Sequence, residues 1–321
     1  MLFMSLIDIS IITSKGAEKF ILPCLESLYK NFRNQVNVYV TSNLASQEII
    51  NQIKSKFPKV NLVINNKKKG FAENHNNIIE KTNGKYVLVL NDDIVILNNA
   101  IEKLINYMEK NDNIAVISPQ LLNPDLSIQN STYNFPNFFT TSLNILGIRK
   151  FIPFNRFTYK LAEMFLKKGS RFWEHNEITE VDTMRGACVL IRRSAIKEVG
   201  LMDEVSLAYG EETEWHYRFR KKDWKIVFYP EAKIIHYGQQ TTKSQSLWVK
   251  EESIKGLLNF YRKHKSKFSY YFLRAIIMFT SFFLYLLSLI TLQKKSASLH
   301  FKLIKITLNP NKAFCGKRIF Y

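Results

Sequence analysis

The chain has 321 residues, 46% of them apolar and 23% charged, so it can bury one large core or two smaller ones and does not have the composition of a disordered chain. Only 11 glycines and 8 prolines are present, which excludes a long flexible linker. The formal net charge of +19 points to anionic partners such as phosphate-bearing substrates or an anionic membrane surface, with Lys-rich compositional bias as the competing source. No nucleic-acid-binding motif accompanies the charge, so nucleic acid is not expected as a partner.

Met1 to Ser10 lacks the basic region and small-residue cleavage site of a secretory signal. Leu6 to Thr13 instead reads as a buried parallel strand, rich in Ile. Helical spacing follows over Ala17 to Tyr29, then a strand over Val36 to Val40 and an amphipathic helix over Gln47 to Phe57. A short strand (Asn61 to Asn65), a helix (Phe71 to Lys81) and the strongly β-prone Tyr86 to Leu90 complete the first half. Strands alternating with helices build a mostly parallel sheet, whose ligand sites lie at the carboxyl ends of the strands. The polar turn Asn91-Asp92-Asp93 stands at such an end.

Another helix (Ala100 to Lys110) and strand (Ile114 to Ser118) follow. From Gln120 to about Glu180 the pattern weakens into an aromatic, loop-rich region with a short helix, including Arg149 to Phe157, in the position of an acceptor-side lid. Order returns with a strand at Ala187 to Ile191, helices at Ser194 to Val199 and Trp215 to Lys222, and short strands at Lys225 to Tyr229 and Lys233 to His236. Cys24, Cys188 and Cys315 are far apart and form no CxxC pair, which argues against a zinc or redox motif and fits a reducing compartment.

The last part changes character. Lys250 to Lys267 is basic and amphipathic, and Ala275 to Leu292 is uncharged over the shortest length that spans a bilayer. Basic residues flank it on both sides, and a single span would carry Lys294 to Arg318 across the membrane against the positive-inside tendency. A segment lying in the interface avoids that conflict, with Phe301 to Leu308 beside it. The expected organisation is a catalytic domain over residues 1–250 and a membrane-association region over 251–321, attached to the cytoplasmic face of the cell membrane as a peripheral or monotopic protein.

Carboxylates at a strand end can hold a hard divalent cation against a diphosphate, although a lone Asp-Asp after a strand is more often a turn. Here the surrounding residues weigh against a plain turn. Gly70-Phe71-Ala72, Asn76, and Gly84-Lys85-Tyr86 running into Asn91-Asp92-Asp93 strongly resemble glycosyltransferase family 2, of the GT-A fold. The second half resembles that family's rhamnosyltransferase-like branch: Val181-Asp182, Gly186-Ala187, Arg192-Arg193, Val199-Gly200 through Asp203-Glu204, Tyr209-Gly210-Glu211-Glu212, and Pro230 before a strand ending in His236. The likeness covers about residues 5 to 265.

The resemblance implies an inverting, metal-dependent sugar transfer from a nucleotide sugar to a lipid-linked or cell-surface glycan acceptor, with rhamnose from a dTDP donor as the first expectation. By the same resemblance Asp93 binds Mn²⁺ or Mg²⁺ and the donor diphosphate, Asn91 and Asp92 support the turn, and His236 completes the metal shell. Glu212 or Glu211 is the general base that deprotonates the acceptor hydroxyl. Thr13, Ser42, Asn43, Gly70, Phe71 and Asn76 fall at donor-binding positions, and Arg185 and Gly186 at the acceptor loop, where Arg185 could pair with a phosphate. Two places depart from the family pattern: Thr13-Ser14-Lys15 stands for Thr-Tyr-Asn, and Thr41-Ser42-Asn43 for Asp-Asn, so Ser42 offers a hydrogen bond where a charge usually reads the base. These departures motivate the alternative of a catalytically impaired relative acting as a glycan-binding or scaffold component at the membrane.

Overall fold

The computed structural model describes residues 7–32, 36–147, 175–238 and 246–310. The aromatic stretch Arg149 to Phe157, Cys315 and the basic end at Arg318 lie outside the described residues.

Twelve strands are present among the described residues: β1 (Ile7–Ser14), β2 (Val36–Asn43), β3 (Asn61–Ile64), β4 (Tyr86–Asn91), β5 (Ile94–Ile96), β6 (Ile114–Leu122), β7 (Ile128–Gln129), β8 (Thr132–Tyr133), β9 (Thr179–Glu180), β10 (Thr183–Met184), β11 (Cys188–Arg192) and β12 (Lys225–His236). The helices are α1 (Ile21–Asn31), α2 (Gln47–Lys56), α3 (Phe71–Lys81), α4 (Ala100–Glu109), α5 (Phe138–Ile145), α6 (Arg193–Val199), α7 (Glu211–Lys221), α8 (Ser246–His264), α9 (Lys267–Ile290) and α10 (Lys294–Leu308). A short 3₁₀ turn, Glu18–Phe20, leads into α1 where a single helix from Ala17 was expected.

The main sheet runs β3-β2-β1-β4-β11-β6-β12-β5. Strands β3, β2, β1 and β4 are parallel, and β6 and β12 share their direction because β11 lies antiparallel between β4 and β6. The sheet is therefore mostly parallel, as expected, with antiparallel β11 inside it and antiparallel β5 on the edge. Helices cover both faces, with one apolar cluster around Ile9, Ile11, Leu25 and Leu104 and another around Val87, Val189, Trp215 and Phe219. Such continuous apolar strands are what a sheet buried on both faces requires.

The two expected strands at Lys225 to Tyr229 and Lys233 to His236 are one strand, β12. Its pairing with β6 shifts register between Tyr229 and Lys233, around Pro230, which has no N–H to give to a ladder. Strand β5 was not anticipated. It leaves β4 through Asp92 and Asp93 and pairs with β12 so that Ile94 faces His236.

Arg192 and Arg193 serve as pins of this fold. Arg192 donates to the carbonyls of Ile114, Met108 and Asn111. Arg193 reaches the carbonyls of Gly84 and Ile79, the Thr82 hydroxyl and the fully buried carboxylate of Asp8 on β1. A buried charge is tolerated only with such full pairing.

Helix α8 is tied closely to the sheet domain. Lys263 pairs with both Asp203 and Glu214, Asn259 donates to Asp203, and Glu252 accepts the Leu207 N–H. Helices α9 and α10 run antiparallel beside it, joined by Arg274 to the Thr307 carbonyl and by Ser288 to Ser296. Among the described residues, α9 alone is long and apolar enough to cross a membrane: its most apolar 18-residue window has mean hydropathy 2.0, and only 22% of that window is buried. A core helix would be covered all round. Instead Phe268, Phe272, Phe279, Phe283, Leu286 and Ile290 are exposed along one side.

Candidate active site

The turn after β4 brings a carboxylate and an imidazole together. Tyr237 donates its N–H to the Asp93 carbonyl, continuing the β5–β12 pairing. This holds Asp93 Oδ1 3.3 Å from His236 Nε2, with both side chains nearly enclosed. Asp93 Oδ1 is buried and makes no hydrogen bond. A buried carboxylate oxygen without a donor is costly and marks a place for a cation or a ligand.

The other ring nitrogen of His236 is engaged. Nδ1 lies 2.6 Å from Oε1 of Gln129 on β7, and Gln129 Nε2 donates to the His236 carbonyl at 3.1 Å. The same Gln129 oxygen accepts from Arg185 at 3.3 Å, and Arg185 also donates to the Tyr133 hydroxyl at 2.8 Å. Arg185 is in turn the cation that acts on Glu212. Contacts thus link Asp93, His236, Gln129 and Arg185, and the Arg185 charge acts on Glu212. Gln129 had no place in the sequence reading; no local pattern marks it, and the residue it serves is 107 positions away.

The two acidic candidates differ in setting. Glu212 is half-buried against Gly186, and main-chain N–H groups of Gly186, Gly210 and its own residue point at its carboxylate. Burial still outweighs them and raises its pKa. Glu211 is 5% exposed; burial first, then the Glu212 charge, raises its pKa well above the ordinary carboxylate value. Glu214, one helical step further, is a pin with no role in the cleft, gripped by Arg218, Lys263 and His264.

Asp92 is buried next to Asp93, and its pKa is pushed up to about 8, by burial first and by the Asp93 charge second, with Thr13 beside it pulling the other way. Asn91 stays within the ladder, its N–H given to the Ala187 carbonyl. The remaining expected donor contacts shape loops. Asn43 clamps Lys69, accepting its N–H and donating to its carbonyl, each at 3.0 Å, and Asn65 and Asn74 extend this cluster. The Ser42 hydroxyl accepts the Ala45 N–H at 3.2 Å. Gly70 and Phe71 meet the loop at Leu207, whose carbonyl takes the Phe71 N–H. Asn76 is fully buried and holds Met202 and Glu204, so its amide serves the Asp203-Glu204 loop and has no free group for a ligand.

Among the described residues, no three His, Cys, Asp or Glu side chains converge as a complete metal cage. Asp93 and His236 nevertheless fit a divalent cation: one carboxylate oxygen lacks a donor, and one imidazole nitrogen faces it. An oxygen and nitrogen donor pair suits Mn²⁺ and, with more oxygen from a donor diphosphate, Mg²⁺.

Comparison with known proteins places this geometry. The chain is 27% identical over 158 residues to N-acetylglucosaminyl-diphospho-decaprenol L-rhamnosyltransferase of Mycobacterium tuberculosis, covering 49% of this chain and 48% of that one. It is 27% identical over 148 residues to the low-salt glycan biosynthesis hexosyltransferase Agl10 of Haloferax volcanii, covering 46% and 41%. The chain thus spans about half the length, or less, of the curated relatives it matches. In three dimensions it resembles the mannosyltransferase PcManGT of Pyrobaculum calidifontis in complex with GDP-Man and Mn²⁺ (TM-score 0.55, 8% identity, 96% of this chain and 88% of that one). It also resembles GalNAc-T7 with UDP, GalNAc and Mn²⁺ (TM-score 0.55, 15% identity, 80% and 50%). Both likenesses show the GT-A fold. The model of the family described as glycosyltransferase-like family 2 matches residues 9–253, most of the chain, and the chain belongs to that family.

Proposed function

We propose that this chain transfers a sugar, with inversion, from a nucleotide-sugar donor to a lipid-linked or cell-surface glycan acceptor. The observation that carries this reading is the Asp93–His236 pair, tied through Gln129 to Arg185, whose charge acts on the Glu212 carboxylate. The named rhamnosyltransferase and hexosyltransferase relatives support it, and rhamnose is the first donor to test.

In this reading Glu212 takes the proton of the acceptor hydroxyl as that oxygen attacks the anomeric carbon. The bond from that carbon to the nucleoside diphosphate breaks in the same displacement, and the anomeric configuration inverts. One base is enough, unlike the two carboxylates of a glycoside hydrolase. Glu212 suits this role better than Glu211 because it is partly exposed while Glu211 is buried. Its raised pKa makes it a stronger base than an ordinary carboxylate. Arg185 stands beside it, available to an acceptor phosphate. Asp93 and His236 would hold Mn²⁺ or Mg²⁺, which supplies positive charge against the departing diphosphate.

The exposed aromatic side of α9 and the +19 net charge support attachment to an anionic leaflet, where a polyprenyl-linked acceptor would lie. Replacement of Asp93 by Asn tests the mechanism. Turnover of nucleotide sugar with Mn²⁺ or Mg²⁺ is expected to fall by about 10²-fold or more, and unchanged turnover overturns the reading.

A further inference from the structure

We propose that Gln129 is a positioning residue that fixes the proton of His236 on Nδ1 and so leaves the Nε2 lone pair aimed at Asp93. The inference deepens the assignment of Asp93 and His236 as a cation pair, and rests on it.

The neighbours of the Gln129 amide fix its orientation. One end of it meets two oxygen atoms, Asn123 Oδ1 at 2.9 Å and the His236 main-chain carbonyl at 3.1 Å. A carbonyl can only accept, so that end must be the NH₂ group. The other end is then Oε1, which is also an acceptor only. Its second neighbour is an Arg185 guanidinium N–H at 3.3 Å, a group that can only donate, which agrees with this orientation. Oε1 lies 2.6 Å from His236 Nδ1, and a contact that short between two heteroatoms requires a proton. The carbonyl has none, so the proton is on Nδ1.

The consequence falls on the far side of the ring. With Nδ1 protonated, a neutral His236 presents a bare lone pair at Nε2. That nitrogen lies 3.3 Å from Asp93 Oδ1, which has no donor of its own. Two acceptors facing each other inside a nearly closed site repel unless a proton or a metal cation stands between them. Gln129 thereby sets the ligand form of the imidazole, and a hydrogen bond on one ring nitrogen is how metal-binding histidines are generally held. The bond to Arg185 gives the same oxygen a second duty. It also holds the Arg185 guanidinium, whose charge acts on Glu212.

The test uses the full chain labelled with ¹⁵N-histidine, with His236→Ala identifying the signal. Long-range ¹H–¹⁵N correlation without metal is expected to show His236 protonated at Nδ1 and bare at Nε2. Gln129→Met, similar in length but unable to accept a strong hydrogen bond, is expected to spread the proton over both nitrogens. Gln129→Glu keeps an acceptor at Nδ1 and is expected to keep the Nδ1–H form. Titration with Mn²⁺ alone, read by loss of the free-ion electron paramagnetic resonance signal, is expected to weaken by about 10- to 100-fold in Gln129→Met and not in Gln129→Glu. A wild-type His236 whose neutral ring carries its proton on Nε2 overturns the proposal and needs no variant to fold. So does a Gln129→Met chain with unchanged tautomer and unchanged Mn²⁺ affinity. If the wild-type chain takes up no Mn²⁺, the cation pair fails as a reading, and the tautomers of wild type and Gln129→Met still decide the role of Gln129.

Discussion

Glu212 lies so close over Gly186 that a β-carbon there would stand 2.5 Å from its Oε1 and 2.8 Å from its Cγ. The glycine leaves the space in which the carboxylate folds back toward the main chain. Gly186→Ala is expected to displace Glu212 while leaving the fold intact, because the clash falls on a side chain and not on the backbone. A shift of about 1 Å at a catalytic group costs on the order of 10²-fold in turnover. The expected result is a loss of kcat of that order with a melting temperature within a few degrees of wild type. A large fall in melting temperature with unchanged kcat would mean that Gly186 serves only the backbone.

The Arg185 charge lowers the Glu212 pKa, against burial that raises it. Arg185→Gln removes the lowering influence, so the Glu212 carboxyl should hold its proton to higher pH. A base works only when deprotonated, and the acidic limb of kcat/KM should therefore move to higher pH in the variant. The pH profile of sugar transfer checks this, and a limb that stays in place or moves down argues that Glu212 is not the base.

The limits of the sequence follow from the same residues. Helix α3 is legible over Phe71–Lys81 because its apolar spacing and its entry from Gly70 are local signals. The direction of β11 is not local: Ala187 to Ile191 reads as a buried strand in either orientation, and only its neighbours β4 and β6 make it antiparallel. Strand β5 has three residues, too few to show any period, yet it carries Asp93 to His236. Asp93, His236 and Glu212 were expected at the site because each stands in an ordered set of family positions, and the structure brings Asp93 and His236 within 3.3 Å. Asn43 and Asn76 belonged to the same set, and their amides turned out to brace loops, since a buried amide must satisfy its hydrogen bonds wherever partners stand.

Gly256 in α8 gives a prediction of unusual sign. Alanine in the middle of a helix normally stabilises it by about 1 kcal/mol relative to glycine. Here a β-carbon would meet the Tyr209 carbonyl oxygen at 2.2 Å, and that oxygen belongs to the main chain entering α7. Neither side can yield without moving the helix or the turn that carries Glu211 and Glu212. Overpacking of this kind costs about 1–3 kcal/mol, enough to cancel the propensity gain. Gly256→Ala should lower both the melting temperature and the transfer rate, and a stabilised, fully active variant would show that α8 does not buttress the turn.

The aromatic side of α9 separates lipid attachment from core packing. Phe279 and Phe283 are 66% and 68% exposed, so aspartate at both should cost the fold little. Binding to phosphatidylcholine–phosphatidylglycerol vesicles should be lost in the double variant, and in the wild type it should weaken as salt rises. Equal sedimentation of both proteins with such vesicles would assign the exposed side another partner.

Glu214 should make the fold sensitive to acid. Its side chain is 2% exposed and meets Arg218, Lys263 and His264 within 3.1 Å. Burial works against its charge, but His264, Arg218 and Lys263 together outweigh it and take the pKa from 4.5 to about 2. A carboxylate held below its ordinary value stabilises the folded chain above the unfolded pKa, and that contribution is lost as pH falls through the folded one. The shift corresponds to a contribution on the order of 3 kcal/mol at neutral pH, lost between about pH 4.5 and pH 2. Glu214→Gln should remove this part of the acid dependence. It should also destabilise the chain by about 3–5 kcal/mol at pH 7, since Lys263 and Arg218 then stay buried with an incomplete set of partners. Urea unfolding from pH 7 to pH 3 reads both effects: the wild-type and variant stabilities should converge as the pH falls, and parallel curves would place the acid-sensitive group elsewhere.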